Sequence, residues 1–229
     1  QPQAVVRGNE RVIRPRLTDA EFFWNKDKKQ KLESLTAGLD AVVYQKELGT
    51  LGDKTRRVAS LACAFADQFG VTPADAKRVA ALAKCDLLTE MVGEFPDLQG
   101  TMGKYYARAQ GEPEAIALAI EEHYRPRFAG DGIPESALGS LAAVCDRCDT
   151  LLGVFSIGHA PTGDKDPYAL RRAGLGILRI LIEGRWPISL RDLVEAAAAT
   201  ATDRVAARSV VESVLAFLFE RLKNYYQET

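Results

Sequence analysis

Residues 80–107, AALAKCDLLTEMVGEFPDLQGTMGKYYA, begin with a helical pattern whose apolar stripe includes a carboxylate. The stripe follows the i, i+3, i+4, i+7 spacing of one helical face and consists of Val79, Leu82, Ala83, Asp86 and Glu90. An ionised aspartate that faces a core is costly unless a cation, a metal ion or several hydrogen-bond donors meet it. The sequence therefore leaves two possibilities for Asp86: a structural ion pair inside a helical bundle, or a catalytic metal site.

The composition is that of an ordinary globular protein of one large or two small domains. The chain has 229 residues, of which 47% are hydrophobic and 27% are charged. Because the formal net charge is only -1, any surface that binds RNA has to be a local basic patch. No apolar run approaches the ~20 residues of a membrane span, and the start shows no export signal. We therefore expect a cytoplasmic protein without membrane contact.

The cysteines favour a reducing compartment. The four residues, Cys63, Cys85, Cys145 and Cys148, lie in segments rich in alanine, leucine and valine that have helical patterns. Cys145 and Cys148 form a CxxC motif, but inside the helical pattern LAAVCDRCDTLLGVF rather than in a turn. Reduced thiols in the core are favoured over a zinc site built from the four cysteines.

The periodicity predicts an all-α helical bundle with a short irregular or β-like N-terminal segment. Residues 1–16, QPQAVVRGNERVIRPR, have no helical period, contain two prolines, and could form short strands around a Gly-Asn turn. Strand signals are nearly absent after residue 17. The apolar spacing predicts helices over 32–48, 54–69, 136–157, 168–183 and 205–226.

Histidine usage argues against metal catalysis. The only two histidines are His123 and His159, and both are predicted to lie at or near loops. A zinc or two-metal hydrolase needs more imidazoles at helical spacing. The sequence also lacks a phosphate-binding glycine loop and a Ser-His-Asp set.

The order of elements nonetheless resembles the helical fold of the His-Asp (HD) phosphohydrolases. Lys54 stands where that family has its first histidine, Cys85 and Asp86 stand where it has its His-Asp pair, and Asp146 stands where it has its closing aspartate. Both imidazoles are replaced. Since facing carboxylates repel without a cation between them, we expect the Lys54 ammonium to take the place of the metal, within salt-bridge distance of Asp86 or Asp146.

Nearly the whole chain resembles the β subunit of the bacterial heterotetrameric glycyl-tRNA synthetases. The resemblance rests on the runs GNERVIRPRLTDAEFFWNKDKK, QKELGTLGDKTRRVA, AKCDLLTEMVGEFPDLQGTMGKYYA, YRPRFAGDGIP, CDRCDTLLGVFSIGHAPTGDKDPYALRRAGLGILRI and FLFERLKNYY. It implies part of a class II, α2β2 glycine–tRNA ligase in which the α subunit holds ATP, magnesium and the glycine-activating site. The β subunit would bind tRNA-Gly and the α subunit, with no catalytic residue, cofactor or metal in this chain.

The same resemblance implies three regions. Residues 1–48 would be the tail of a preceding domain with linker helices, residues 49–183 an HD-like helical domain, and residues 184–229 the start of a C-terminal anticodon-binding helical domain. In this division Lys54, Cys85, Asp86 and Asp146 keep only a structural role.

Contacts to RNA need exposed cations that a rigid bundle presents on loops. The candidates in loops 124–134 and 158–172 are Arg125, Arg127, Lys165, Arg171 and Arg172. Arg171 could equally be a buried partner for an acid such as Asp149. Tyr105 and Tyr106 could stack on bases, but partly buried aromatics on a short helix are the commoner case. Two other functions remain open: an HD-type metal-dependent phosphohydrolase acting on nucleotides or RNA, and a region that only docks subunits.

Overall fold

The computed structural model describes residues 2–128, 130–163 and 165–228. These ranges contain twelve α-helices, which confirms the all-α prediction. The helices are α1 Pro2–Asp27, α2 Leu32–Leu35, α3 Leu51–Phe65, α4 Pro73–Leu82, α5 Glu90–Glu94, α6 Thr101–Ala109, α7 Glu114–Glu122, α8 Ala137–Ser156, α9 Leu170–Glu183, α10 Leu190–Thr200, α11 Arg204–Ser209 and α12 Val211–Glu228. Short 3-10 helices cover Thr36–Ala41, Asp67–Phe69, Cys85–Leu88 and Pro96–Leu98.

The predicted irregular or β-like N-terminal segment is wrong. Residues from Pro2 onward form the 26-residue helix α1, which contains Pro15. The apolar side chains of its first half, such as Val5 and Val12, are more than half exposed. Because this half of α1 buries no face, its sequence carries no core-facing stripe from which a helical period could be recognised.

The helix predicted over 32–48 is also replaced by shorter elements. After α2 and the first 3-10 helix, β1 (Val43–Gln45) pairs antiparallel with β2 (Gly49–Thr50). The Gln45 side chain accepts hydrogen bonds from the backbone amides of Glu47 and Leu48, and Gly49 has a φ of 87°. These local bonds, together with a backbone conformation that favours glycine, turn the chain where the apolar period predicted helix.

A capping box fixes the start of α3 directly after this hairpin. The Thr50 hydroxyl accepts a hydrogen bond from the Asp53 amide at 3.0 Å, and the Asp53 carboxylate accepts one from the Thr50 amide at 2.9 Å. The backbone bond from Thr50 is the main reason that the pKa of Asp53 falls to about 2. Two amides that α3 would otherwise leave unpaired are satisfied, and Lys54 is held in the first turn.

The long helix α8 is the centre of the bundle. It packs against α3, α7, α9 and α10, and its Leu141, Val144 and Leu151 are fully buried. Leu193 of α10 and Leu218 of α12 belong to the same apolar cluster. The helices on both sides of residue 184 thus share one core, while the division into three regions stays a prediction.

The core-thiol prediction is confirmed for three of the cysteines. Cys85, Cys145 and Cys148 are buried free thiols, and Cys63 is a free thiol with partial exposure. Burial raises the pKa of Cys85 to about 12, so its thiol stays protonated at neutral pH. Within the part of the chain that the structure describes, no helix is both long and apolar enough to cross a membrane.

Candidate functional site

The charged groups in the middle of the bundle meet around Lys54. This side chain is 3% exposed, and its ammonium donates to Oδ2 of Asp149 at 3.1 Å and to Oγ1 of Thr150 at 2.9 Å. The same nitrogen lies 3.4 Å from Oδ1 of Asp146. The prediction that Lys54 lies within salt-bridge distance of Asp86 or Asp146 is therefore confirmed for Asp146. Burial alone would lower the pKa of Lys54, but the two carboxylates outweigh burial and raise it.

Asp149 also binds Arg57, one turn further along α3. The guanidinium donates from Nε to Oδ1 at 2.7 Å and from Nη2 to Oδ2 at 3.3 Å. Arg171, which the sequence left open as a partner of Asp149, donates instead to the carbonyl of Gly163. The α3–α8 contact is thus fastened by a buried, two-point arginine–carboxylate pair in addition to Lys54.

A second buried lysine, Lys84, was not identified from the sequence. It lies just after the end of α4, with its Nζ 3.6 Å from Oδ1 of Asp146 and 2.8 Å from Nε2 of His123. His123 Nδ1 lies 2.6 Å from the Ile120 carbonyl, so Nδ1 carries the proton and Nε2 accepts from Lys84. Burial, reinforced by the charge of Lys84, lowers the pKa of His123 and keeps the ring neutral.

Asp86 is met by backbone amides. It lies in the 3-10 helix Cys85–Leu88 and is fully buried, and its Oδ2 accepts from the amides of Gly100 at 2.6 Å and Gly103 at 3.0 Å. Its Oδ1 has no hydrogen-bond partner among the described residues. Burial raises the pKa of Asp86, although the two amide bonds oppose it. The sequence left three kinds of partner open for Asp86: a cation, a metal ion or several hydrogen-bond donors. The structure shows hydrogen-bond donors.

Two details of the sequence-based picture are corrected. The stripe on which Asp86 was predicted to lie is broken, because α4 ends at Leu82, and Glu90 is exposed and paired with Lys26. Cys85 donates to the Ala81 carbonyl at 3.3 Å inside the core. The side chain that approaches Asp146 from this segment therefore belongs to Lys84, one residue before Cys85.

A cavity of about 440 Å³, here called the Lys84 cavity, opens beside the charge cluster. Its charged lining includes Lys84, Arg127, Arg147, Arg172, Asp97 and Asp146. Two of the predicted RNA contacts, Arg127 and Arg172, line this cavity together with Asp146, and Nη2 of Arg127 lies 3.6 Å from Oε1 of Glu121. The positive groups outnumber the carboxylates on its wall.

A second cavity of about 640 Å³, here called the arginine groove, lies between α9, α12 and the loop before α8. Its lining includes Arg171, Arg172, Arg179, Arg221, Phe128 and Leu175. No acidic side chain of the described residues lines it. The groove shares Arg172 and Pro126 with the Lys84 cavity, so the two cavities adjoin.

The free charge of the groove comes mainly from Arg171 and Arg172, for which the described residues offer no carboxylate partner. Arg179 is paired with Glu183 at 2.7 Å. The ring of Phe128 is 62% exposed at the edge of the groove. Exposed cations beside an open aromatic face suit the phosphates and bases of an RNA strand.

The remaining candidates lie outside both cavities. Arg125 is held by Glu121 at 3.0 Å, and Lys165 lies exposed in a turn in which its amide donates to the Thr162 carbonyl. Tyr106 is buried, donates its hydroxyl to Asp27 at 2.9 Å and stacks on Trp24, so its role is structural. Arg179 and Arg221 were not identified from the sequence, because the contact between α9 and α12 brings residues distant along the chain into one groove.

Residues 2–128, 130–163 and 165–228 contain no group of three or more histidine, cysteine or acidic side chains arranged to hold a metal ion. The cations that lie against Asp146 in these ranges are the ammonium groups of Lys54, at 3.4 Å, and Lys84, at 3.6 Å.

Comparison with known proteins gives a consistent set of similarities. The sequence profile of the family described as "Glycyl-tRNA synthetase beta subunit" matches residues 1–229. The chain is 50% identical over 227 residues to a "Glycine--tRNA ligase beta subunit" of Mannheimia succiniciproducens and 51% identical to the proteins of that name from Actinobacillus succinogenes and Haemophilus influenzae. Each match covers 99% of this chain and 33% of the relative. The chain thus spans about a third of the length of these curated relatives.

Proposed function

The chain belongs to the glycyl-tRNA synthetase β-subunit family, and we propose that it is a tRNA-binding, non-catalytic part of a cytoplasmic glycine–tRNA ligase. In this proposal it supports the ATP-dependent attachment of glycine to tRNA-Gly, which takes place on a partner α subunit that holds ATP and magnesium. The two kinds of subunit would form an α2β2 assembly.

The arginine groove is the observation that carries this proposal. Arg171 and Arg172 leave their guanidinium groups without carboxylate partners among the described residues, at a cavity that no described acid lines. Guanidinium groups bind phosphate oxygens through two parallel hydrogen bonds, and exposed rings such as Phe128 stack on unpaired bases. A chain of net charge -1 that concentrates free arginines in one groove is suited to a polyanion at that place.

The buried charge cluster supports the non-catalytic part of the proposal. We infer that the bundle is HD-like and that Lys54, Cys85, Asp86 and Asp146 keep the positions of a metal site without its chemistry. Lys54 contacts Asp146 and Asp149 directly, while Asp86 binds two backbone amides. These groups join α3, the segment after α4, and α8, so the loops that follow are presented on a rigid frame.

The test is binding of tRNA-Gly to the intact protein over a range of salt concentrations. In the variant that carries both Arg171→Ala and Arg172→Ala, we expect the affinity to fall roughly tenfold or more. Loss of two phosphate contacts should also reduce the slope of log affinity against log salt by about 2. The matched control is Arg204→Ala, because Arg204 is exposed and lines neither cavity.

The outcomes separate the proposal from its alternatives. An unchanged affinity and salt slope in the double variant would refute the groove as the tRNA site. Altered assembly with the α subunit at unchanged tRNA affinity would favour a region that only docks subunits. Metal-dependent turnover of nucleotides by the intact protein, lost in Asp146→Asn, would favour the phosphohydrolase.

A further inference from the structure

The buried cations next to the Lys84 cavity outnumber the carboxylates that contact them among the described residues. Asp149 is already bound by Arg57 and Lys54. Besides Asp149, Lys54 contacts one carboxylate among the described residues, through Oδ1 of Asp146. Lys84 contacts the same oxygen and no other carboxylate of these residues. Arg57, Lys54 and Lys84 therefore share two carboxylates. Lys84, which lines the open cavity, has the weakest pairing, at 3.6 Å, and burial lowers its pKa although Asp146 opposes this.

The other cations of the cavity add to this surplus. Arg147 donates only to backbone carbonyls among the described residues, those of His123, Ala143, Tyr124 and Pro126, so its charge has no ion-pair partner there. Among the described residues, the guanidinium of Arg172 makes only a 3.5 Å contact, with the Arg127 carbonyl. Against these groups the described lining residues offer one further carboxylate, that of Asp97. A low-dielectric wall strengthens the field of such an uncompensated charge.

The wall also contains Tyr124, whose ring lies beside Lys84. Tyr124 lines the cavity, and its buried hydroxyl makes no hydrogen bond to the described residues. Its ring lies 4.1 Å from the ammonium of Lys84. The hydroxyl oxygen itself is shielded from solvent, so Tyr124 contributes to this wall through its contact with Lys84 and not through a free hydroxyl.

We propose that the Lys84 cavity binds a phosphate monoester, with the phosphate between Lys84 and Arg172. An anion of this kind suits a wall on which cations outnumber carboxylates, and the cavity volume of about 440 Å³ falls in the range of small-molecule sites and has room for a mononucleotide. The phosphate can come from a free mononucleotide or from the 5′ end of an RNA. Because the cavity adjoins the arginine groove at Arg172, the 5′ end of an RNA bound in the groove is within reach of the cavity. An RNA end as the source of the phosphate rests on the proposed function.

The first experiment measures the binding of AMP, inorganic phosphate and adenosine to the intact protein by calorimetry. We expect AMP and phosphate to bind and adenosine not to bind. Arg172→Gln should weaken AMP binding about tenfold, because a charge-assisted hydrogen bond to phosphate is lost, while Arg204→Gln leaves it unchanged. Since Lys84→Met can fail to fold, the exposed Arg172 is the deciding variant. Equal binding of adenosine and AMP, no binding of any probe, or an unchanged affinity in Arg172→Gln would overturn the proposal.

The second experiment identifies the source of the phosphate. The affinity of the intact protein is compared for tRNA-Gly with a 5′-phosphate and tRNA-Gly with a 5′-hydroxyl. A weaker hydroxyl form, with the difference abolished in Arg172→Gln, supports the cavity and assigns it to an RNA end. Equal affinities together with AMP binding support the cavity and assign it to a free nucleotide. AMP binding without any tRNA binding supports the cavity and refutes the proposed function.

Discussion

The ammonium nitrogen of Lys54 lies 3.4 Å from Oδ1 of Asp146, and this contact joins the first turn of α3 to the middle of α8. The residues are far apart in sequence and both belong to the centre of the bundle. Burial alone would raise the pKa of Asp146, but the charges of Lys54 and Lys84 outweigh it and hold the pKa below its usual value. The carboxylate is therefore ionised in the folded protein and stabilises it above the pH at which it titrates in the unfolded chain.

Replacement of Lys54 by methionine should destabilise the protein strongly. In the wild type the Lys54 ammonium contacts both Asp146 and Asp149. The variant removes it, so Asp146 keeps only Lys84 as an ion-pair partner and Asp149 keeps only Arg57 among the described residues. Breaking a buried ion pair from one side costs about 3–5 kcal/mol. The free energy of unfolding in urea measures the loss. The control is Lys77→Met, in an exposed position of α4, which should change it by no more than about 0.5 kcal/mol. Similar losses in both variants would contradict a structural role for the cluster.

Asp86 should show the opposite pH dependence to Asp146. Because burial raises its pKa above 3.8, the folded state holds this proton more tightly than the unfolded state does. The cost of ionising Asp86 is fully present above its folded pKa and disappears as the pH falls through the folded and then the unfolded pKa. Relative to Asp86→Asn, the wild-type protein should thus gain stability as the pH falls.

The measurement is the unfolding free energy of both proteins in urea at neutral pH and at about pH 4.5. Comparing the difference between the two proteins removes the contribution of the other carboxylates, which titrate in both. The difference in unfolding free energy between the wild type and Asp86→Asn could instead stay constant, or the wild type could lose stability relative to the variant at low pH. Either result would mean that the hydrogen bonds from the amides of Gly100 and Gly103 outweigh the burial of the carboxylate.

The sequence predicted helices where a buried face imposes a period. The helices expected over 54–69, 136–157, 168–183 and 205–226 appear as α3, α8, α9 and the α11–α12 pair, with shifted ends. The first half of α1 lies outside the core, and there the prolines led to the wrong prediction. Between 32 and 48 the side-chain bonds of Gln45 to the backbone decide the structure, and apolar periodicity does not detect such bonds.

For the candidate site, the sequence placed Lys54 beside Asp146 but did not identify Lys84. The resemblance to a metal site supplied a reason for a cation at Lys54, whereas a buried lysine is recognisable only from its partners His123 and Asp146 on other helices. The one signal in the sequence was that Lys84 follows the buried stripe of α4 at i+4 from Ala80. Because loops and helix starts present cations, the sequence predicted RNA contacts at Arg127, Arg171 and Arg172. Their positions at the two cavities depend on how α9 packs against α12, which the sequence does not show.

Gly103 should not tolerate a methyl group, although it lies inside helix α6. A Cβ atom there would come 2.7 Å from Cγ2 of Ile120 and 3.1 Å from Oδ2 of Asp86. Alanine favours helix by about 1 kcal/mol, but overpacking costs typically 1–3 kcal/mol and also disturbs the amide bond to Asp86. We expect Gly103→Ala to lower the unfolding free energy. Gly93, in α5, has open space around its Cβ position, so Gly93→Ala should be neutral or stabilising. A stabilised Gly103→Ala variant would show that the contact around Asp86 is looser than described.

Phe128 should contribute to RNA affinity without contributing to the salt dependence. Its ring is 62% exposed beside the arginines of the groove, and an exposed ring that stacks on a base is worth about 1–3 kcal/mol of binding free energy. Phe128→Ala should therefore weaken tRNA-Gly binding by roughly fivefold to a hundredfold, and Phe128→Trp should retain it, because stacking needs a flat aromatic face. Stacking releases no counterions, so the slope of log affinity against log salt should stay that of the wild type.

The control is Phe219→Ala, because Phe219 is 56% exposed on α12 and lines neither cavity. Equal affinities of Phe128→Ala and the wild type would remove Phe128 from the proposed tRNA site.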